Sequence, residues 1–339
     1  MPHRGWTSHD GRVDITGILA AVEGLWGLDV GGWSTLVDGP APVLALPAAG
    51  AVVHVGRREV GSARVAALHR ARANLADHGV PVVELLTSRT GETWHWSHGR
   101  VIEVERLVDH DGRMNTWPRL RTGCSLLAQV HNAWGGLDLG AQGEACDWAN
   151  WISPNKVLAR CEIAAGRLRI WGLDDLAADV LRLAALTATD HDLPTHVVHG
   201  DFWDNNVYLR HERIVAVTDF EFLGRRPRID DLALLLYFAD EQPYFNGAGF
   251  RDQRTRRAQL TPLVHAYANQ LTTPLTGVEL TALPITLARQ PLWTYGTWLL
   301  ADNDDDHARR EALSSAPAVT RALEIATQPE PWTQAFTPA

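Results

Sequence analysis

One short β-rich segment, residues 195–221, constrains this chain more than any other part, because it lies between stretches with helical periodicity. A strand is predicted at 195–198, and it leads into a polar loop at 199–206. Two more strands are predicted at 207–210 and 214–218, separated by a polar turn. The segment therefore predicts a β-hairpin preceded by a loop rich in Asp and Asn.

The chemistry of this segment follows from its geometry. Antiparallel pairing of the two later strands would place Asn206 and Asp219 side by side at the open end of the hairpin, near Asp201. Phosphoryl transfer depends on positioning and charge neutralisation, which such a cluster can supply. We therefore predict that Asp201 is the catalytic residue, which orients the attacking hydroxyl and accepts its proton. Asn206 and Asp219 are predicted to bind Mg2+.

The motifs also carry a family resemblance. The sequence His-Gly-Asp at 199–201, followed by Asn206 and by Asp-Phe-Glu at 219–221, resembles the aminoglycoside phosphotransferase and choline kinase superfamily. The stretch is also similar to type II homoserine kinases. Asp231, in the sequence Asp-Leu-Ala, matches the family's helix aspartate that braces the loop through backbone hydrogen bonds. The resemblance implies that His199 and Asp231 support the loop structurally.

The resemblance implies an α+β, two-lobed protein-kinase-like fold, with a small β-rich amino-terminal lobe and a larger, mainly helical carboxy-terminal lobe. A hinge is expected near 105–108, so the lobes would comprise 1–107 and 108–339. The element order fits this fold. In the first lobe, strands are predicted at 33–37, 42–47, 51–56, 82–87 and 101–107, and a helix at 64–78. In the second lobe, helices are predicted at 122–133, 155–171, 174–187 and 230–239.

The amino-terminal lobe departs from the expected pattern. Kinases of this type carry a lysine on the third strand that contacts the nucleotide phosphates and pairs with a helix glutamate. Lys156 is the one lysine of this chain, and it lies far from that strand. The strand carries His54 instead, with Arg57 just beyond it, and the predicted helix has no glutamate. Three interpretations stay open: His or Arg replaces the lysine, the strand register differs, or nucleotide binding is weakened.

The other nucleotide contacts follow from the resemblance. Gly31 and Gly32 are the candidates for the phosphate-covering loop, because glycines let backbone amides approach phosphate oxygens. The adenine is expected against backbone groups from Glu105 to Leu107. The implied cofactors are Mg2+ and ATP or GTP as phosphate donor.

Composition excludes several classes of protein. The net charge of −9 argues against a nucleic-acid binder, and it is compatible with a cationic substrate. No apolar run reaches the roughly 18 residues of a membrane span, and no signal segment begins the sequence. Three widely spaced cysteines, Cys124, Cys146 and Cys161, indicate neither a disulfide framework nor a zinc site. We expect a cytoplasmic protein, either a monomer or a homodimer.

The leading hypothesis is a kinase that transfers the γ-phosphate to a hydroxyl of a small molecule. The acceptor could be an aminoglycoside-like antibiotic, which would imply antibiotic resistance, or an amino alcohol, homoserine or a sugar. The alternative is a catalytically impaired kinase-like protein that binds a nucleotide or a partner. A two-metal phosphoesterase is discounted, because only His265 and His307 remain as histidine ligands after His211.

Overall fold

The computed structural model describes residues 13–39, 41–58, 60–144, 150–189, 192–241, 252–302 and 304–338. The chain forms two compact units. The first comprises Met1–His69 and Val82–Asp109, and the second comprises Arg70–Pro81 and His110–Ala339. An antiparallel sheet comes first and a mainly helical region follows, so the predicted α+β fold class is confirmed.

The first unit opens with a helix that the sequence analysis did not predict, α1 at Ile15–Trp26. The side chain of Asp14 caps its amino terminus by accepting a hydrogen bond from the N–H of Gly17 at 2.9 Å. Gly27 ends it with a left-handed φ of 72°, a conformation that favours glycine. The apolar face of α1 is buried against the sheet.

The sheet of the first unit is antiparallel throughout and has the strand order β1-β2-β3-β5-β4. Its strands are β1 at Ser34–Val37, β2 at Val43–Leu46, β3 at Ala51–Val55, β4 at Trp94–Ser97 and β5 at Arg100–Arg106. Helix α2, at Ser62–Asp77, lies between β3 and β4 in the sequence. Alternate residues of β3 are buried in the core with α1, so His54 lies on the opposite face of the sheet.

One strand prediction in this unit was wrong, and one strand was not predicted. Residues 82–87 do not form a regular strand: they run beside β5 through backbone bonds such as Leu86 N–H to the Val104 oxygen at 2.7 Å. Pro81 begins this segment and cannot donate a ladder hydrogen bond. Strand β4 was not predicted, because Trp-His-Trp-Ser lacks a clear apolar alternation.

The second unit is built mainly from helices, and the four that the sequence predicted are present, three of them with different ends. Their bounds are α3 at Trp117–Trp134, α4 at Pro154–Ile170, α5 at Asp174–Thr187 and α6 at Arg228–Glu241. Further helices are α7 at Gln253–Ala268, α8 at Gly277–Arg289, α9 at Asp305–Thr327 and α10 at Glu330–Phe336, with a π-helical turn at Thr294–Trp298. Within the described residues, none of the helices is long and apolar enough to cross a membrane.

Two small sheets of the second unit hold the polar loop at both ends. Strand β7, at Thr195–Val198, pairs with β10, at Gly224–Pro227. Strands β6, at Gly112–Arg113, β8, at Val207–Arg210, and β9, at Arg213–Val217, form the other sheet in the order β6-β8-β9. The loop at 199–206 therefore runs from one sheet to the other, and α6 lies buried behind it.

Candidate active site

The hairpin of β8 and β9 brings the predicted metal ligands to one end of the sheet. Val207 pairs with Val217, and the N–H of Thr218 donates to the backbone oxygen of Asn206 at 3.0 Å. This pairing is the one that the sequence predicted. Asp219 follows directly and has a left-handed φ of 61°, which turns the chain away from the strand.

Asp201 is the best-positioned carboxylate of the loop. Its side chain is buried, and each of its oxygens accepts a hydrogen bond from an amide: Oδ1 from Asn150 at 2.6 Å and Oδ2 from Asn206 at 2.7 Å. Burial raises the pKa of Asp201 to about 6, although the two amide bonds act in the opposite direction. A carboxylate with a raised pKa is a better proton acceptor than an exposed one.

Asp231 holds the backbone of the loop from behind. Its Oδ2 accepts the N–H of His199 at 2.7 Å, and its Oδ1 accepts the N–H of Gly200 at 2.8 Å. His131 lies 3.2 Å from Oδ2 through Nε2, and its Nδ1 is 2.8 Å from the hydroxyl of Tyr267. Burial opposes ionisation of Asp231, but its hydrogen bond to His131 and the nearby positive charges lower its pKa. Asp231, His131 and Tyr267 thus form a buried chain of hydrogen bonds behind the loop.

His199 serves the same loop with its side chain. Its Nε2 lies 2.9 Å from the backbone oxygen of Thr218, and its Nδ1 accepts the N–H of Asp201 at 3.3 Å. Burial lowers the pKa of His199 to about 4, so the ring is neutral and carries its proton on Nε2. A ring held between two backbone groups in this way positions the loop and does not act as a base.

Gly200 is required by the local geometry. Its φ of 83° is left-handed, and a Cβ at this position would collide with the backbone oxygen of Phe222 and with the guanidinium of Arg226. Glycine is therefore the residue that allows the backbone of the loop to pass here.

The predicted metal ligands offer hard oxygen donors, which suit Mg2+. The Nδ2 of Asn206 points to Asp201, so its Oδ1 faces away from that carboxylate. Phe220, next to Asp219, contacts the ring of His199 and lies 5.4 Å from the guanidinium carbon of Arg72. Among the described residues, no cluster of three or more His, Cys, Asp or Glu side chains is arranged to hold a metal ion. Two protein ligands would be completed by phosphate oxygens and water.

The nucleotide residues predicted in the first unit form a different arrangement from the expected lysine–glutamate pair. His54 Nε2 lies 3.0 Å from Oε2 of Glu105, which is buried. His69 of α2 is paired with Glu103 on the same face of β5. The positions of Glu103 and His54 are directly opposite in the register of β3 and β5. The two bases therefore sit on β3 and α2, and both carboxylates sit on β5.

The remaining predicted nucleotide residues are less well placed. Gly31 and Gly32 form a turn before β1, in which the Asp29 carboxylate accepts the N–H of Gly31 at 2.8 Å. The N–H of Leu107 donates to the Gly50 oxygen at 2.8 Å, so an adenine cannot use it without breaking that bond. Arg57 is partly exposed just after β3. Glu59 and Cys146 lie outside the described residues.

The sequence analysis missed Asn150. Its contact with Asp201 joins residues 51 positions apart, and no spacing motif marks it. The two residues after it, Trp151 and Ile152, lie close to Arg289, Gln290 and Trp293, with no space between them for a bound molecule. Trp203, in the same loop as Asp201, is packed against Leu234 and Phe238.

Comparison with known proteins connects this geometry to a family. The family described as "Phosphotransferase enzyme family" (APH) matches residues 47–268, well over half of the chain. A homoserine kinase of Gluconacetobacter diazotrophicus is 24% identical to the chain over 217 residues. That alignment covers 63% of each protein, so the chain spans less than two thirds of the relative's length.

Several solved structures share the fold. An amicoumacin kinase in complex with AMP-PNP, Ca2+ and Ami has a TM-score of 0.67 at 14% identity, over 91% of this chain and 94% of that one. A spectinomycin phosphotransferase with ADP and spectinomycin has a TM-score of 0.61 at 12% identity, with coverages of 93% and 98%. A microcompartment-associated aminopropanol kinase has a TM-score of 0.61 at 15% identity, with coverages of 92% and 98%.

Proposed function

The chain belongs to the phosphotransferase enzyme family and is a small-molecule kinase, and from this premise we propose that it transfers the γ-phosphate of ATP to a hydroxyl with the help of Mg2+. The observation that carries the proposal is the buried carboxylate of Asp201, fixed by amide donors on both oxygens. The neighbouring oxygen donors of Asn206 and Asp219 support it.

Asp201 would act on the acceptor. Its carboxylate would accept a hydrogen bond from the acceptor hydroxyl, direct the oxygen at the γ-phosphorus and take the proton as the new P–O bond forms and the bond from the γ-phosphorus to the β–γ bridging oxygen breaks, which releases ADP. General acid–base groups of this kind contribute about 10²- to 10⁴-fold to a rate. An ionised carboxylate has about four lone-pair sites, so Asp201 can receive the hydroxyl while keeping both amide bonds.

Asn206 and Asp219 would hold the metal. Asn206 and Asp219 lie at the open end of the hairpin in the backbone, and both side chains carry oxygen donors of the kind Mg2+ prefers. The ion, when bound, would neutralise charge on the nucleotide phosphates. The brace by Asp231 and His199 would keep these side chains in register during turnover.

We assign nucleotide binding to residues 1–107, with a hinge near 105–108, and the remaining roles to 108–339. Within the first part, His54, Arg57, Gly31, Gly32, Glu105 and Leu107 stay our candidates. The pairing of His54 with Glu105 supports a variant pattern, in which an imidazole takes the place of the lysine on β3. Comparison of ATP and GTP binding in a calorimetric titration would show which nucleotide the protein prefers.

The acceptor is proposed to be a hydroxyl compound that carries an amine. Aminopropanol and homoserine, the molecules named for two of the similar proteins, both combine these groups. The net charge of −9 favours a cationic substrate.

Calorimetric titration of ATP and GTP, with and without Mg2+, tests the proposal. Binding that needs Mg2+ is expected, and Asp219→Asn should abolish the metal dependence, while the control Asp175→Asn, at an exposed position of α5, keeps it. Phosphate transfer would then be screened with 3-amino-1-propanol, homoserine, ethanolamine and spectinomycin. Binding without Mg2+ dependence, or no transfer to any amino alcohol or aminoglycoside, would contradict the proposal.

A further inference from the structure

The contact between Asn150 and Asp201 joins the proposed base to a residue outside the loop. The amide Nδ2 of Asn150 donates to Oδ1 of Asp201 at 2.6 Å, and Asn206 donates to Oδ2 at 2.7 Å. Two donors on opposite oxygens fix the plane of a carboxylate, whereas one donor would leave it free to rotate about its last torsion.

The two amides have different secondary roles. Asn206 belongs to the loop, and its Nδ2 also donates to the backbone oxygen of Asp201 at 2.8 Å, so it maintains the shape of the loop as well. Asn150 comes from a separate segment before α4, and its amide reaches the carboxylate itself. Removal of the Asn150 amide should therefore change the orientation of the carboxylate more than the path of the loop.

The segment that carries Asn150 has a second contact, through the next residue. The ring of Trp151 lies 5.3 Å from the guanidinium carbon of Arg226. Arg226 in turn donates to the backbone oxygen of Phe222 at 2.9 Å. The backbone on one side of Asn150 is thus held by a contact that does not involve Asp201.

We propose that Asn150 is a positioning residue for the phosphoryl transfer, whose amide holds the Asp201 carboxylate towards the acceptor hydroxyl. The inference rests on the proposed function, since it assigns a role within that reaction. A hydrogen bond to a charged group of this kind corresponds to about a 10- to 100-fold effect. Because the amide acts on the base, the loss should fall on kcat and leave the KM for ATP within about threefold.

Two variants separate donation from packing. Asn150→Ala removes the donor, and Asn150→Asp keeps the shape while replacing the donor with a like charge. ATP turnover, measured as ADP release with water as acceptor, should fall in the order wild type, Asn150→Ala, Asn150→Asp. Asn155→Ala, an exposed asparagine in the same region, is the matched control and should keep the wild-type rate. An Asn150→Asp variant with wild-type kcat would overturn the inference, because a packing role needs only the shape.

A second measurement does not depend on turnover. Chemical unfolding of wild type, Asn150→Ala, Asp201→Ala and the double variant forms a double-mutant cycle. The direct bond predicts non-additive effects, with a coupling of about tenfold in the unfolding equilibrium constant. Additive effects would refute the contact even if the enzyme had no measurable turnover. Absence of wild-type turnover together with intact coupling would instead count against the proposed function alone.

Discussion

The brace formed by Asp231 gives the sharpest prediction about this site. Asp231→Asn is nearly isosteric, but the amide keeps one oxygen and replaces the other with a donor. In the wild-type protein, the Asp231 carboxylate accepts hydrogen bonds from the N–H groups of His199 and Gly200 and from the ring of His131. At least one of these three buried donors must lose its acceptor in the variant.

The expected magnitude follows from these bonds. A hydrogen bond to a buried charged group contributes about 1.5–3 kcal/mol, so Asp231→Asn should lower the free energy of unfolding by about 2–4 kcal/mol. The loop that carries Asp201 would also shift, and a displacement near 1 Å costs about 100-fold in rate. Denaturant unfolding and ATP turnover, both measured below the melting transition, give the two numbers.

Asp230→Asn is the matched control. Asp230 is the preceding residue, it is equally buried, and its Oδ1 lies 3.4 Å from Arg289 and not against the loop. We expect Asp230→Asn to lower stability but to keep turnover within about threefold of wild type. If Asp231→Asn kept the wild-type kcat, or if both variants lost turnover equally, the brace would not explain how the loop is positioned.

The remaining predictions concern the same loop and the first unit. Gly200→Ala should prevent stable folding of the second unit or lower its stability by several kcal/mol, as seen in circular dichroism melts, because the new Cβ meets backbone at a left-handed φ. His199 has a pKa lowered to about 4, so the folded state resists protonation and stability should fall as the pH drops from about 6.5 towards 4. The total loss is about 3 kcal/mol, and denaturant unfolding of His199→Gln should lack this part of the pH dependence. His54→Ala should raise the Kd for ATP about tenfold in calorimetry, and an unchanged Kd would assign the pair with Glu105 to structure alone.

Most of the second unit could be predicted from the sequence, because its helices and its hairpin are marked by short-range residue patterns. Helix α5 matches the predicted bounds of 174–187, and the pairing of β8 with β9 follows from two short strands around a turn. The position of Asp219 next to Asn206 is a consequence of that pairing. Asn150 could not be found in this way, because the contact depends on how a distant segment packs against the loop.

The first unit shows what local patterns miss. The sequence around helix α1 has two features typical of helix ends: Asp14 before the first turn and Gly27 after the last. The helix was nevertheless not predicted, because the predicted elements began with the strand-rich pattern that follows it. Residues 82–87 have strand composition and even contact β5, yet the backbone bonds to β5 are irregular. Composition predicts that such a segment is extended, whereas regular pairing depends on its neighbours.

The first unit replaces the expected lysine–glutamate pair with two pairs of a histidine and a glutamate. A search for a lysine on β3 and a glutamate on α2 fails because β3 and α2 each supply a histidine, His54 and His69, and β5 supplies both carboxylates. No spacing within one element reveals these pairs, since they depend on how β3 and α2 pack against β5. A histidine held by a carboxylate attracts a phosphate less strongly than a lysine does, so Mg2+ at Asn206 and Asp219 would have to supply more of the neutralising charge. Mg2+ dependence of ATP binding should therefore be steep in this chain, and weak dependence would mean that another cation of the first unit contacts the phosphates.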